Sequence, residues 1–213
     1  MEVLNFDIED FEKHKQDEFT IGNKVLYDLC DKHCNHINED EIHAKIWLIG
    51  RAYAAAIERR KNKTKINDHF YKTVVQEMIR FNNEKEFDKM LEKLNGKEFS
   101  KETIKDILLI HQELTSLFKK LTELEKRSLA SKYLHFHCPI FPIYDSRANN
   151  ALRKLVKGKS SEEYGDKEYS NFCHKILELY ENITEKTGNT PSMRQIDTYL
   201  IHIANEDLNN NSV

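Results

Sequence analysis

The sequence predicts an all-α protein, and three observations lead to that prediction. Apolar side chains recur three or four residues apart through almost every segment, which is the spacing of a helix face. With 6 glycines and 3 prolines in 213 residues, the chain has little of the turn chemistry that β-sandwiches and barrels need. No segment alternates apolar and polar residues strongly enough to predict a strand. One globular multi-helix domain, or two helical lobes with a cleft between them, fits this length.

The predicted helices follow one another along the chain, each marked by its apolar stripe. The stripes cover residues 25–30, 42–57, 70–79, 104–121, 129–136, 148–155, 172–180 and 196–203. Ser100 marks the start of the fourth helix and Asp145 that of the sixth, while Pro191 fits the first turn of the last. Residues 138–144 contain two prolines, which predicts an extended linker, and residues 157–166 predict a polar loop.

The domain organisation follows from these elements. We expect an N-terminal arm over residues 1–20, a helical domain over 21–208 and a frayed tail over 209–213. Within the domain, a cleft would separate about 40–125 from 126–208. No apolar run approaches the roughly 18 residues that a membrane helix needs, and residues 1–19 lack the pattern of a secretory signal. We therefore expect a soluble, cytoplasmic protein, in the simplest case a monomer, without a membrane partner.

The formal net charge of −3 is unevenly distributed along the chain. Residues 119–160 carry ten basic against three acidic groups, a balance of +7, and residues 51–65 carry six against one, a balance of +5. The rest of the chain then carries −15. Such asymmetry favours an anionic partner such as nucleic acid, although solvated helix faces would also account for it.

Two short stretches carry a family resemblance. Ala130-Ser131-Lys132-Tyr133-Leu134 is followed by Ile143-Tyr144-Asp145-Ser146-Arg147. This layout resembles the helix-hairpin-helix DNA glycosylase superfamily, and within it the archaeal 8-oxoguanine branch. There a K-x-A helix precedes, by about 18 residues, an aspartate that opens the next helix. The resemblance implies a helical glycosylase fold, DNA as the partner and Asp145 as the catalytic residue.

The chain departs from the superfamily pattern at two places. The Gly-rich hairpin is replaced by Leu-Thr-Glu-Leu-Glu at residues 121–125. The position of the Schiff-base lysine falls on Arg127 when counted from Asp145 and on Ser128 when Ala130-Ser131 is aligned. With water as the attacking group, the resemblance then implies a monofunctional enzyme. It would hydrolyse the N-glycosidic bond of a modified or damaged base and leave an abasic site, and a role in defence against phage is a further hypothesis.

The chemistry of base release suggests a role for each candidate residue. Cleavage builds positive charge on the deoxyribose, which a carboxylate such as Asp145 stabilises while it orients water. Asp is equally a preferred helix cap. The extruded base needs a pocket, for which the candidates are Trp47, Tyr53, His135 and Tyr144. The candidates for phosphate contacts are Arg51, Arg127, Lys132, Ser146 and Arg147.

Each of these candidates also has a structural explanation. Trp47 and Tyr53 would be core residues, and His135 would be a histidine that the helix dipole favours. Arg127 and Arg147 would form surface ion pairs. Arg51 would be partly buried and paired with Glu58, Asp145 or a ligand phosphate.

Cysteine and histidine cluster at Cys30, His33, Cys34 and His36, with His135, His137 and Cys138 as a second group. Zinc ligation or a Cys–His nucleophile is conceivable for such residues. Buried residues with free thiols explain four cysteines more simply in a cytosolic chain. We therefore predict no metal and no cofactor. The alternative function is a non-enzymatic helical module that binds nucleic acid or acts as an interaction protein in a defence system.

Overall fold

The computed structural model describes residues 1–4, 6–16, 19–59, 69–159 and 164–210. In this part of the chain the structure is predominantly helical, which confirms the predicted all-α class. The helices are α1 (Ile8–His14), α2 (Thr20–Lys32), α3 (Glu39–Ala52), α4 (Phe70–Lys85), α5 (Phe87–Leu94), α6 (Ile104–Thr122), α7 (Arg127–His137), α8 (Ser146–Leu155), α9 (Lys167–Thr187) and α10 (Met193–Asn210). Two short strands, β1 (Glu2–Val3) and β2 (Val156–Lys157), pair in antiparallel register.

The helices form two compact units. The central unit comprises Phe19–Lys97 and Leu109–Cys138, and the terminal unit comprises Met1–Glu18, Glu98–Leu108 and Pro139–Val213. Helix α7 thus belongs to the central unit, and the first 18 residues belong to the same unit as α8, α9 and α10. Among the described residues, no helix combines the length and the apolar composition that a membrane span requires.

The core of the central unit forms where α3 packs against α4 and α7, and α2 against α7. Gly50 on α3 allows a close approach, because a Cβ atom there would lie 3.0 Å from the Cα of Ala56. The predicted continuation of this helix to residue 57 is wrong. The helix ends at Ala52 because Ala54 adopts a left-handed conformation with φ 49°. Ala56 and Ile57 are then buried by the turn rather than by a helix face.

Two of the helices, α1 and α5, are not predicted by the apolar stripes of the sequence. Helix α5 follows α4 after Glu86, whose φ of 54° breaks the two helices apart. It buries Phe87, Leu91 and Leu94, a stripe of only three residues. Helix α1 has seven residues and buries only Phe11, whose ring contacts Tyr199 of α10 edge-on at 5.4 Å. Its segment was expected to be an unpacked arm.

The segment between α7 and α8 contains no helix or strand, but it turns at Pro139 and Ile140, so the prediction of a linker extended over all of residues 138–144 is wrong there. Its apolar side chains Phe141 and Ile143 are buried in the terminal unit. The Tyr169 hydroxyl of α9 donates a 2.8 Å hydrogen bond to the carbonyl of Pro142, which ties the segment to that helix. This segment positions Asp145 immediately before α8. Residues 160–163 of the predicted loop and residues 211–213 of the predicted tail lie outside the described residues.

Candidate functional site

Asp145 is the N-cap of α8. Its backbone is extended (φ −138°, ψ 145°), and its carboxylate accepts a hydrogen bond of 2.9 Å from the backbone N–H of Arg147. The predicted capping role is therefore confirmed. The residue is half-buried, while the preceding Ile143 and Tyr144 are buried. A carboxylate held in this way has a defined position at the start of a helix, where backbone amides point outward.

The other candidates next to Asp145 have different surroundings. Tyr144 is 7% exposed, its ring packs edge-on against Phe172 at 5.2 Å, and its hydroxyl donates to Glu168. Its ring is thus part of the core of the terminal unit. Ser146 and Arg147 are exposed in the first turn of α8, and the Arg147 guanidinium donates to the side chain of Asn205 on α10.

Arg51 and Trp47 are both exposed on α3. The Arg51 side chain is 56% exposed and pairs with Glu58, which is one of the three partners considered for it, but the expected partial burial is wrong. Because α3 ends one residue later, Arg51 lies in the last turn of the helix, where its side chain reaches solvent, rather than within a continuous apolar face. Trp47 is 44% exposed, so its assignment to the core is also wrong. Arg127 is half-buried as the first residue of α7.

Three candidates of the central unit come together along α7. Lys132 is 3% exposed, its ammonium donates 2.7 Å to the Ser128 hydroxyl, and it lies 5.8 Å from the ring centroid of Tyr53. His135 is fully buried, with its Nε2 atom 2.5 Å from the Tyr27 hydroxyl. We call these residues, with the aromatic ring that lies between them, the α7 cluster: Tyr27, Tyr53, Ser128, Lys132, His135 and Phe136.

Lys132 in the α7 cluster has a different environment from the one that the sequence predicts. The sequence suggested an exposed lysine for phosphate contact, whereas the ammonium is buried against a hydroxyl and an aromatic face. Ser128 is one of the two residues, with Arg127, that the resemblance in the sequence put at the position of a Schiff-base lysine. Because Ser128 and Lys132 are one turn apart on α7, the amine lies beside that position.

The predicted site residues therefore fall into two groups. Tyr144, Asp145, Ser146 and Arg147 belong to the terminal unit, and the α7 cluster with Trp47, Arg51 and Arg127 belongs to the central unit.

A buried polar network in the central unit was not anticipated from the sequence. His36 is fully buried, with Nδ1 2.5 Å from the Asp88 carboxylate and Nε2 2.8 Å from the Tyr133 hydroxyl. The ring of His137 lies 4.8 Å from that of His36. We call these residues, together with Lys45, the His36 network. Burial lowers the pKa of His36 and lowers that of His137 well below its usual value.

Lys45 is the most unexpected member, because it is a fully buried lysine. Its ammonium donates to the carbonyls of His33 (2.7 Å) and Asn35 (3.0 Å), which lie in the turn between α2 and α3. The ammonium thus provides a donor for two carbonyls of the turn that follows α2. Burial lowers the pKa of Lys45.

The dense cysteine and histidine stretch is divided among separate roles. His36 is engaged by Asp88 and Tyr133, and His33 Nδ1 lies 2.8 Å from the Glu41 carboxylate. All four cysteines are free, and burial raises the pKa of the Cys30 thiol to about 12. A raised pKa opposes the thiolate form that metal ligation and nucleophilic attack both require.

The basic segments are partly neutralised by local ion pairs. Lys119 pairs with Glu125, Lys120 with Glu77, and Lys154 with Asp207. Exposed pairs of this kind contribute little to stability, but they reduce the local positive potential. Much of the second basic segment, residues 60–65, lies outside the described residues.

No family model, no curated protein and no solved structure matches this chain.

Proposed function

We propose that the protein is a DNA glycosylase that hydrolyses the N-glycosidic bond of a modified or damaged base, with Asp145 as the catalytic carboxylate. The observation that carries the proposal is the position of Asp145. The residue follows the buried residues 141–144 and opens α8, and a backbone amide holds its half-buried carboxylate in place. Catalytic carboxylates need such fixed placement, because stabilisation of a developing charge depends on preorganisation.

The residues around Asp145 suit a DNA backbone. Ser146 and Arg147 are exposed in the first turn of α8, and the outward amides of that turn favour a phosphate group. The carboxylate would stabilise the oxocarbenium-like sugar and orient water for the attack at C1′. The glycosidic bond would break as the C1′–O bond to water forms. The base would leave with a proton, and the product would be an unbroken strand with an abasic site.

Lys132 provides the alternative chemistry for the same reaction class. An amine can attack C1′ and form a Schiff base, after which the strand is cleaved. We assign the attack to water because the Lys132 ammonium is buried against Ser128 and the Tyr53 ring. Borohydride reduction distinguishes the two mechanisms, since it traps a covalent complex only if a Schiff base forms. Trapping that disappears in Lys132→Gln would contradict the assignment to water.

The test of the proposal is base release from a panel of single- and double-stranded DNAs with modified bases, followed by alkali to cleave abasic sites. Asp145→Asn keeps a side-chain oxygen for the cap, because Asn is as good an N-cap as Asp. We expect this variant to fold normally and to lose about 10²- to 10⁴-fold in the rate of base release.

The matched control is Asp166→Asn in the same unit. Asp166 caps α9 and accepts 2.8 Å from the backbone N–H of Tyr169, so the substitution has the same effect on a cap. Its rate of base release should stay within about twofold of the wild-type rate. Undiminished release by Asp145→Asn would refute the catalytic assignment.

A non-enzymatic nucleic-acid-binding function is the second candidate, because the capping of α8 alone would account for the position of Asp145. This function predicts salt-dependent retention of DNA without base release from any member of the panel. The cytoplasm as compartment, a monomeric state and a role in phage defence are extensions of the glycosylase proposal. Plating of phages with and without modified bases on cells that express the wild-type protein or Asp145→Asn tests the last of them.

A further inference from the structure

The terminal unit contains a cluster of metal-ligating side chains far in sequence from Asp145. Asp10 and His14 are one turn apart on α1, and His202 and Glu206 are one turn apart on α10. Residues at this spacing share a helix face. One ligand atom from each of Asp10, His14 and His202 lies within 4.8 Å of the other two.

We propose that Asp10, His14 and His202 bind a zinc ion that joins α1 to α10, with Glu206 as a fourth ligand. Two imidazoles and a carboxylate are a ligand set typical of Zn²⁺, whereas Mg²⁺ and Ca²⁺ prefer oxygen ligands alone. This site is independent of the proposed glycosylase function.

The two imidazoles of the cluster are already in contact with each other. The rings of His14 and His202 are stacked at 3.6 Å between centroids, with 16° between their planes. Zn–N distances of 2.0–2.1 Å in tetrahedral geometry place two ligand nitrogens roughly 3.4 Å apart. Because each ring centroid lies beyond its nitrogen, two imidazoles on one tetrahedral ion have centroids roughly 5 Å apart. The stacked rings must therefore separate and rotate about their Cβ–Cγ bonds when the ion binds.

The hydrogen bonds at the cluster also point to a ligand. The Nε2 atom of His202 is buried and has no hydrogen-bond partner among the described residues. The nearest carboxylate oxygen, from Glu206, is 3.6 Å away, which is too far for a hydrogen bond. A buried imidazole nitrogen without a hydrogen-bond partner is available to coordinate a metal ion. His14 Nδ1 is 2.9 Å from the Asp10 carboxylate and 3.1 Å from the Asp10 backbone carbonyl, so both groups of the His14–Asp10 pair already face each other at the cluster.

The burial of the cluster suits a structural ion. The side chains of His14, His202 and Asp10 are 24%, 25% and 35% exposed, so an ion can enter from solvent and is partly shielded once bound. The site lies next to the contact of Phe11 with Tyr199, through which the seven-residue helix α1 packs on α10. The ion would therefore fix the shortest helix of the terminal unit to the last one.

The test uses the full chain after treatment with a chelator. Calorimetric titration with Zn²⁺ and visible spectroscopy with Co²⁺ should show one tight site and the absorption of tetrahedral cobalt. Zn²⁺ should raise the thermal midpoint of the wild-type protein. In His14→Gln and His202→Gln we expect affinity to fall about 100-fold or more and the rise in the midpoint to disappear.

Two control variants separate this site from other histidines and thiols. His43→Gln removes an exposed histidine of α3, and Cys34→Ser removes the exposed cysteine of the dense stretch. Both should bind Zn²⁺ like the wild-type protein. Loss of the ion in Cys34→Ser but not in His202→Gln would overturn the proposal, as would the absence of any stoichiometric binding.

A measurement on the wild-type chain avoids dependence on how the variants fold. Carbethoxylation of histidines by diethyl pyrocarbonate, mapped by mass spectrometry, should slow at His14 and His202 when Zn²⁺ is added. The rate at His43 should stay the same. Equal rates with and without Zn²⁺ at all three histidines would overturn the proposal.

Discussion

Substitution of Asp88 by asparagine is the sharpest test of the His36 network. The Asp88 carboxylate accepts three hydrogen bonds: from His36 Nδ1, from the backbone N–H of His36 at 3.1 Å, and from the Asn82 amide at 2.8 Å. Hydrogen bonding with His36 lowers the pKa of Asp88 against the raising effect of burial. Since the Tyr133 hydroxyl is protonated, it donates to His36 Nε2, which leaves the Nδ1 proton for Asp88.

An asparagine at position 88 reverses the direction of this chain of hydrogen bonds. If its oxygen accepts from the His36 backbone and Asn82, its amide group donates to His36 Nδ1. The imidazole proton then moves to Nε2 and donates to Tyr133, whose own hydroxyl proton loses its acceptor in a fully buried position. An unsatisfied buried donor costs about 1–3 kcal/mol. The hydrogen bonds from the His36 backbone and Asn82 also weaken, because their acceptor is no longer charged. We expect Asp88→Asn to lower the free energy of unfolding by about 2–3 kcal/mol.

The assay is urea unfolding at pH 7.5 followed by the fluorescence of Trp47. This residue is the only tryptophan, and its place on α3 makes the signal specific to the central unit. Asp31→Asn, at an exposed position of α2, is the control and should change the free energy by less than about 0.5 kcal/mol.

A double-mutant cycle tests the direction of the hydrogen bonds. In a Tyr133→Phe background no hydroxyl is left to lose its acceptor, so Asp88→Asn should cost about 1 kcal/mol less than in the wild-type protein. The reasoning is refuted if Asp88→Asn unfolds within 0.5 kcal/mol of the wild type, or if its effect is the same in both backgrounds.

Three further predictions concern the pH dependence of the His36 network and two other positions of the fold. Because burial lowers the pKa of His36 and His137, the unfolded chain binds more protons below about pH 6.5. The free energy of unfolding should thus fall from pH 7.5 to 5.5 in the same urea assay, and equal values would contradict this. Gly50→Ala should lower the free energy of unfolding by about 1 kcal/mol, because the new Cβ would lie 3.0 Å from the Ala56 Cα, and this crowding outweighs the gain in helix propensity. A variant that is more stable than the wild type in urea unfolding would show that the turn at Ala56 shifts to make room. Tyr169→Phe should cost about 1–2 kcal/mol and lower the thermal midpoint, because the buried carbonyl of Pro142 loses its donor; an unchanged midpoint would count against that bond.

Local patterns in the sequence predicted the helices and the cap well. The long stripe of α6 and the aspartate before α8 depend on interactions within one or two turns, which a sequence shows directly. The end of α3 was not predictable in this way. Its residues continue the apolar spacing to Ile57, and only the left-handed turn at Ala54 separates the helical part from the rest.

Long-range contacts account for most of what the sequence did not show. A lysine at position 45 belongs to a helix by its spacing, and nothing local indicates that its ammonium is buried against the turn at His33 and Asn35. The pairs Asp10–His14 and His202–Glu206 are each visible as one-turn spacings, but their proximity depends on how α1 packs against α10. The sequence likewise did not show that the Lys132 amine contacts the Ser128 hydroxyl, because the lysine comes from the next turn of α7.

The composition of the terminal unit also determines the order in which the protein can be completed during synthesis. The central unit has all of its segments once residue 138 has been made. Strand β1 pairs with Val156 and Lys157, and Phe6 and Phe11 contact Tyr199, so these residues have partners that are made more than 150 residues later. At about 5–20 residues per second, the interval between Phe11 and Tyr199 is roughly 10–40 s. During that time these aromatic side chains are accessible to chaperones and to other nascent chains, which makes the early segment the part of the protein most vulnerable to misassembly.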